Sequence, residues 1–116
     1  MMENLTAETF KEKVYDFSGT DKKLLGTKPV VIDFYADWCN PCKMVAPILK
    51  QLSIEYTGID FYKIDTDAQS ELAAIFGIRS IPSILFIPIE GIPQMMMGAQ
   101  PKSRFTEAIK NIFGIE

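Results

Sequence analysis

Between Pro29 and Gly58 the hydrophobic pattern of the chain changes period once, and that change restricts the fold to a small set. Val30-Val31-Ile32-Asp33-Phe34-Tyr35 is a β-branched and aromatic run behind a proline, the pattern of a strand buried on both faces. From Pro41 to about Tyr56 the apolar residues Val45, Ile48, Leu49 and Leu52 recur at i, i+3, i+4 and i+7. That is the stripe of an amphipathic helix, and Gly58 follows as a stop. A buried strand that feeds directly into a long helix belongs to an α/β fold.

The remainder of the chain repeats the alternation. Thr6 caps a first helix with Phe10, Val14 and Phe17 on one face, and Ser18 to Lys28 reads as a loop. Ile59 to Asp65 reads as a strand, Ala68 to Phe76 as a short helix ended by Gly77, and Ser83 to Ile87 as a further buried strand. Glu90-Gly91 reads as a turn, with Gln94 to Met97 paired to the strand before it. Pro101 opens a last helix with Phe105, Ala108, Ile109 and Ile112 inward. Alternation alone implies a mostly parallel central sheet covered on both sides. At 116 residues the chain fits one domain, 1–116.

Composition removes several function classes. There is no histidine, so no Ser-His-Asp or Cys-His catalytic set can form. Two cysteines supply neither a closed zinc site nor a multi-bridge scaffold, and no metal or other cofactor is expected. Twelve Lys and Arg against 15 Asp and Glu give a net charge of −3, the wrong sign for nucleic acid. The apolar stretch Ile81 to Ile89 is short and holds two prolines, so no membrane span is expected. The first residues lack the basic start and apolar run of a signal peptide. A cytoplasmic location is therefore favoured, with an exported one open if a leader preceded the doubled Met1-Met2.

The chemistry concentrates in Trp38-Cys39-Asn40-Pro41-Cys42-Lys43, where strand gives way to helix. Cysteines at i and i+3 at a helix start stand about 5 Å apart at Cα, within disulfide range. Cys39 falls near the N-cap, where unpaired backbone N–H groups, that of Cys42 included, and the helix dipole favour a thiolate. Pro41 fixes the first turn. Cys42 lies one turn deeper, an expected inner and less exposed thiol. A structural disulfide or an incidental pair is the competing reading. The order strand, CxxC, helix favours working chemistry.

The chain resembles the thioredoxin family along nearly its whole length. The run Val31 to Pro47, VIDFYADWCNPCKMVAP, is similar to the family signature almost residue for residue. Tyr62-Lys63-Ile64-Asp65, Ile78-Arg79-Ser80-Ile81-Pro82-Ser83 and Gly98-Ala99 resemble three further family motifs in order. The resemblance implies a thioredoxin fold, a central mixed β-sheet flanked by helices on both faces, and reduction of protein disulfides by dithiol exchange. It implies Cys39 as attacking thiol and Cys42 as resolving thiol. Asp33, a carboxyl in an apolar strand, becomes the proton acceptor for Cys42, with Lys63 beside it. It also implies a cis Pro82. Trp38, Asn40, Pro41, Ile81, Pro82, Gly98 and Ala99 become the surface that receives a client. Pro47 is expected to bend the long helix.

The departures from the family pattern are specific. Asn40 replaces the commonest Gly, which bears on the redox potential. Tyr35 replaces a frequent Trp. Thr66 and Ser80 make the docking surface more polar. The opening strand is reduced to a few residues around Leu5. Met95-Met96-Met97 alternates across a strand and reads as core and edge filling, not as a metal site. The expected partners are disulfide-containing proteins and a reductase or other thiol donor, acting on a monomer. An exported oxidant or isomerase is the alternative use of the same motif. A non-catalytic thioredoxin-fold scaffold is a second alternative, and a metal cluster shared across a dimer is a third.

Overall fold

The computed structural model describes residues 2–14 and 24–115. Strand β1 (Glu3–Asn4) precedes helix α1 (Ala7–Lys13), and β2 (Val30–Tyr35) leads into α2 (Asn40–Glu55). Strand β3 (Asp60–Asp65), helix α3 (Ser70–Ile75), strands β4 (Ser83–Ile87) and β5 (Gln94–Met97), and helix α4 (Lys102–Phe113) complete the order. Phe17 and part of the loop expected before Pro29 lie outside the described residues.

The sheet runs β1-β3-β2-β4-β5. β1 and β2 both pair parallel to β3, whereas β4 is antiparallel to β2 and to β5. Alternation alone overstates the parallel share, because a hairpin joins β4 to β5 and β4 itself runs against β2. The mixed sheet implied by the family resemblance is the one present.

Side-chain alternation along β2 divides the core in two. Val30, Ile32 and Phe34 pack with Leu5, Phe10, Val14, Ile64 and Leu72, on the face covered by α1 and α3. Val31 packs with Val45, Leu49, Leu52, Phe105 and Ile109, on the face covered by α2 and α4. Asp33 and Tyr35 share the parity of Val31 and therefore point to the α2 side. Thr6 caps α1 as expected: its hydroxyl accepts the Thr9 N–H at 3.1 Å, and Thr9 Oγ1 accepts the Thr6 N–H at 2.8 Å.

Helix α3 is shorter than the expected Ala68–Phe76. Asp65 Oδ1 accepts the N–H groups of Asp67 (2.9 Å) and Ala68 (3.3 Å), and this local turn takes up the residues before Ser70. The methionine run behaves as its alternation implies: Met96 packs against the α2–α4 core, while Met95 and Met97 are exposed on β5.

Candidate functional site

The site grows from the end of β2. Tyr35 is the last strand residue, and the chain turns through Ala36, Asp37 and Trp38 before α2 begins at Asn40. Cys39 is the N-cap, in extended conformation. Its Sγ accepts the N–H of Cys42 at 3.2 Å, the placement that stabilises sulfur anion over thiol. Pro41 stands inside the first turn, where its missing N–H costs nothing. Cys39 and Cys42 form a disulfide, with Cα atoms 5.3 Å apart.

The two cysteines are equally buried, each 4% exposed. The expected contrast in exposure is therefore absent from the oxidised state, where the bond holds both sulfurs against Ala36, Tyr35 and Ile81. The contrast that remains is one of surroundings. Cys39 faces the helix N-terminus. Cys42 lines a cavity of about 180 Å³ together with Asp33, Tyr35, Lys43 and Lys63.

Asp33, which shares this cavity with Cys42, is a buried carboxyl, 3% exposed. Its Oδ1 is buried and has no hydrogen-bond partner among the described residues. Burial pushes this carboxyl up to about 7, with the Lys63 ammonium pulling it partly back. Lys63 is the direct register neighbour of Asp33 on β3. A second cavity, about 570 Å³, reaches Asp33 from the β1 side and is lined by Met2, Asn4, Ala46, Pro47, Lys50 and Lys63. Pro47 sits inside α2 and cannot donate to the helical ladder.

The rim carries the apolar groups. Trp38 is 69% exposed, and its indole N–H donates to Asp67 Oδ2 at 2.7 Å. The ring thus stands on the surface, tethered at its edge. Asn40, Pro41 and Ala99 are exposed, Ile81 and Gly98 are half-buried, and Pro82 is buried. The Ile81–Pro82 peptide bond is cis. Gly98 has φ +89°, a left-handed conformation that a side chain would strain, and its N–H donates to the Pro82 carbonyl at 2.8 Å. That bond ties the glycine turn to the proline loop.

Of the sequence-derived residues, Ile81 packs against the cysteine pair, Asp33 and Lys63 share a cavity with Cys42, and Gly98 is tied to Pro82. Sequence pattern does not single out Asp67 or Asn4. Both are polar residues next to strand ends, and their roles arise from partners 29 and 31 positions away. Thr66, notable in sequence only as a polar replacement on the docking surface, has a structural function as well. Its N–H (2.9 Å) and hydroxyl (3.0 Å) both donate to the Tyr35 carbonyl and fix the turn below Trp38.

The family model described as Thioredoxin matches residues 1–111. The chain belongs to the thioredoxin family. It is 45% identical over 114 residues to a thioredoxin of Borreliella burgdorferi, an alignment covering 96% of this chain and 97% of that one. It is 40% identical over 100 residues to the chloroplastic M-type thioredoxin of Pisum sativum, covering 84% of this chain and 58% of the longer relative. In structure it is similar to a chloroplastic thioredoxin z, with a TM-score of 0.79 at 24% identity, covering 96% of this chain and 93% of that one. Like its family, the protein is a thiol–disulfide oxidoreductase that reduces protein disulfides, and its redox pair is Cys39 and Cys42. Among the described residues no helix is long and apolar enough to cross a membrane.

Proposed function

We propose a division of labour in which Cys39 attacks and Cys42 resolves. The observation that carries this reading is the Cys42 N–H directed at Cys39 Sγ at the N-cap of α2. In the reduced protein the Cys39 thiolate attacks one sulfur of a client disulfide. A Cys39–client disulfide forms and the other client sulfur leaves as a thiolate. Cys42 then loses its proton to the Asp33 carboxylate, through water in the cavity the two residues share. The Cys42 thiolate attacks Cys39 Sγ, the second client thiolate leaves, and the Cys39–Cys42 disulfide closes. Two electrons have passed to the client, and solvent supplies its protons. Lys63 tempers the basicity of Asp33.

Trp38, Asn40, Pro41, Ile81, Gly98 and Ala99 receive the client around the disulfide, and Pro82 holds the loop from below. The chain acts as a single domain and a monomer in a reducing compartment such as the cytoplasm, and a reductase or other thiol donor restores the dithiol.

Trapping tests the assignment. Reduced Cys42→Ser protein in a cell extract is expected to accumulate mixed disulfides through Cys39, released by dithiothreitol. The Cys39→Ser protein is expected to accumulate far fewer. Equal capture by the two variants, or by the double variant without covalent linkage, would overturn the assignment and favour a scaffold.

A further inference from the structure

Asp33, Lys63 and Asn4 lie in line across three strands. Asp33 on β2 is the register partner of Lys63 on β3, and Lys63 is the register partner of Asn4 on β1. Register partners on neighbouring strands direct their side chains to the same face. Two residues beyond Asp33, on the same face of β2, stands Tyr35. Its phenol donates to Asn4 Oδ1 at 2.9 Å. Because β3 lies between β2 and β1, this bond passes over the strand that carries Lys63. The Lys63 ammonium sits 5.5 Å from the centre of the Tyr35 ring, within cation–π range. Burial pushes the Tyr35 phenol above its ordinary value, so the hydroxyl keeps its proton and stays a donor.

Lys63 also lines both cavities that reach Asp33, and it forms no ion pair with Asp33 among the described residues. Its influence on the carboxyl therefore acts through space. Such an influence depends on where a long, flexible side chain is held. We infer that Tyr35 and Asn4 are positioning residues: their bridge over β3 fixes the Tyr35 ring, the ring holds the Lys63 ammonium beside the cavity, and the held charge sets how readily Asp33 gives up its proton. This inference rests on Asp33 as the proton acceptor in the exchange. It also assigns a role to the tyrosine that replaces the more frequent tryptophan. The other groups facing Asp33 are Cys42, Lys43 and Lys50 from α2 and Asp37 from the turn after β2. The facing residue on β4 is the apolar Ile84. Asp37 acts on the Tyr35 phenol through space, as does Asp65, the register partner of Tyr35 on β3, while the hydrogen bond of the phenol goes to Asn4.

Carboxyl ¹³C NMR titration of Asp33 in the full-length reduced protein tests the inference. Tyr35→Phe keeps the ring and deletes the donor; Asn4→Ala deletes the acceptor. Each is expected to lower the ionised-to-neutral ratio of Asp33 about threefold at a fixed pH, a displacement to higher pH. The double variant is expected to show no more than either alone, since both cut one bridge. With Lys63→Gln in the background, Tyr35→Phe is expected to change nothing. An Asp33 titration unmoved by both single variants would overturn the inference. So would an effect of Tyr35→Phe that persists without the Lys63 charge. The pH profile of client reduction separates this from the underlying reading. If Asp33→Asn leaves that profile as in the wild type, the acceptor role fails, whereas the NMR titration judges the bridge independently.

Discussion

Replacing Asp33 by Asn is expected to make the folded protein gain on the wild type as pH rises. The carboxyl titrates at about 7 in the folded chain, against an ordinary value of 3.8, because burial disfavours its charged form. A group raised by folding contributes stability that is fully present below about pH 3.8 and is progressively lost as pH rises through about 7. The span corresponds to about 4 kcal/mol. An amide in the same place carries no such dependence. Denaturant unfolding of the oxidised proteins at pH 4 and pH 8 should therefore show the stability difference, variant minus wild type, growing by about that amount between the two. Comparing the change with pH removes any constant offset from placing an amide in the same site. A difference that stays flat from pH 4 to pH 8 would mean that Asp33 is not held neutral by the fold. The same substitution is expected to slow the resolving step, so stability and rate should move in opposite directions, as they do where a fold retains a costly group for its chemistry.

The second large effect concerns the cysteines. Cys39→Ser is expected to bring insulin reduction down to the rate of dithiothreitol alone, because no other thiol can open a client disulfide from the N-cap of α2. Cys42→Ser is expected to stop at the mixed disulfide instead. Pre-reduced and freed of dithiothreitol, it should still release about one client thiol per protein in a single burst, and then halt, whereas the wild type releases two and closes its own disulfide. Quenched-flow counting of released thiols distinguishes the two. Burst release by Cys39→Ser, or release of a second client thiol by Cys42→Ser without dithiothreitol, would mean that the sulfurs are assigned the wrong way round.

Much of this is legible in the sequence where local pattern and tertiary role coincide. Val30–Tyr35, Ser83–Ile87 and Gln94–Met97 are bounded by prolines, glycines or turns and have the expected limits as strands. Thr6 caps α1 and Cys39 caps α2 because both positions are dictated by local backbone geometry. Hydrophobic spacing makes helix α3 too long because Asp65 diverts two N–H groups into a turn, a competition that spacing does not register. Strand order is beyond periodicity, which cannot show that β4 runs against β2; the family resemblance implies only that the sheet is mixed. The Trp38–Asp67 and Tyr35–Asn4 bonds are not legible at all, since each joins residues brought together only when the sheet forms. Asp33 is intermediate. A lone carboxyl in an apolar strand announces burial, but the cavities on both sides of it are properties of the packed α2–β3 face.

Limited alkylation tests the division of labour between the sulfurs most directly. The fully reduced wild-type protein is treated at neutral pH with less than one equivalent of iodoacetamide, and the modified peptide is identified by mass spectrometry. The Cys42 N–H is turned toward the sulfur of Cys39 at the N-cap of α2, a placement expected to make Cys39 the more reactive thiol. The label is therefore expected almost entirely on Cys39. A label shared equally between the two, or found first on Cys42, would contradict the assignment of Cys39 as the attacking thiol.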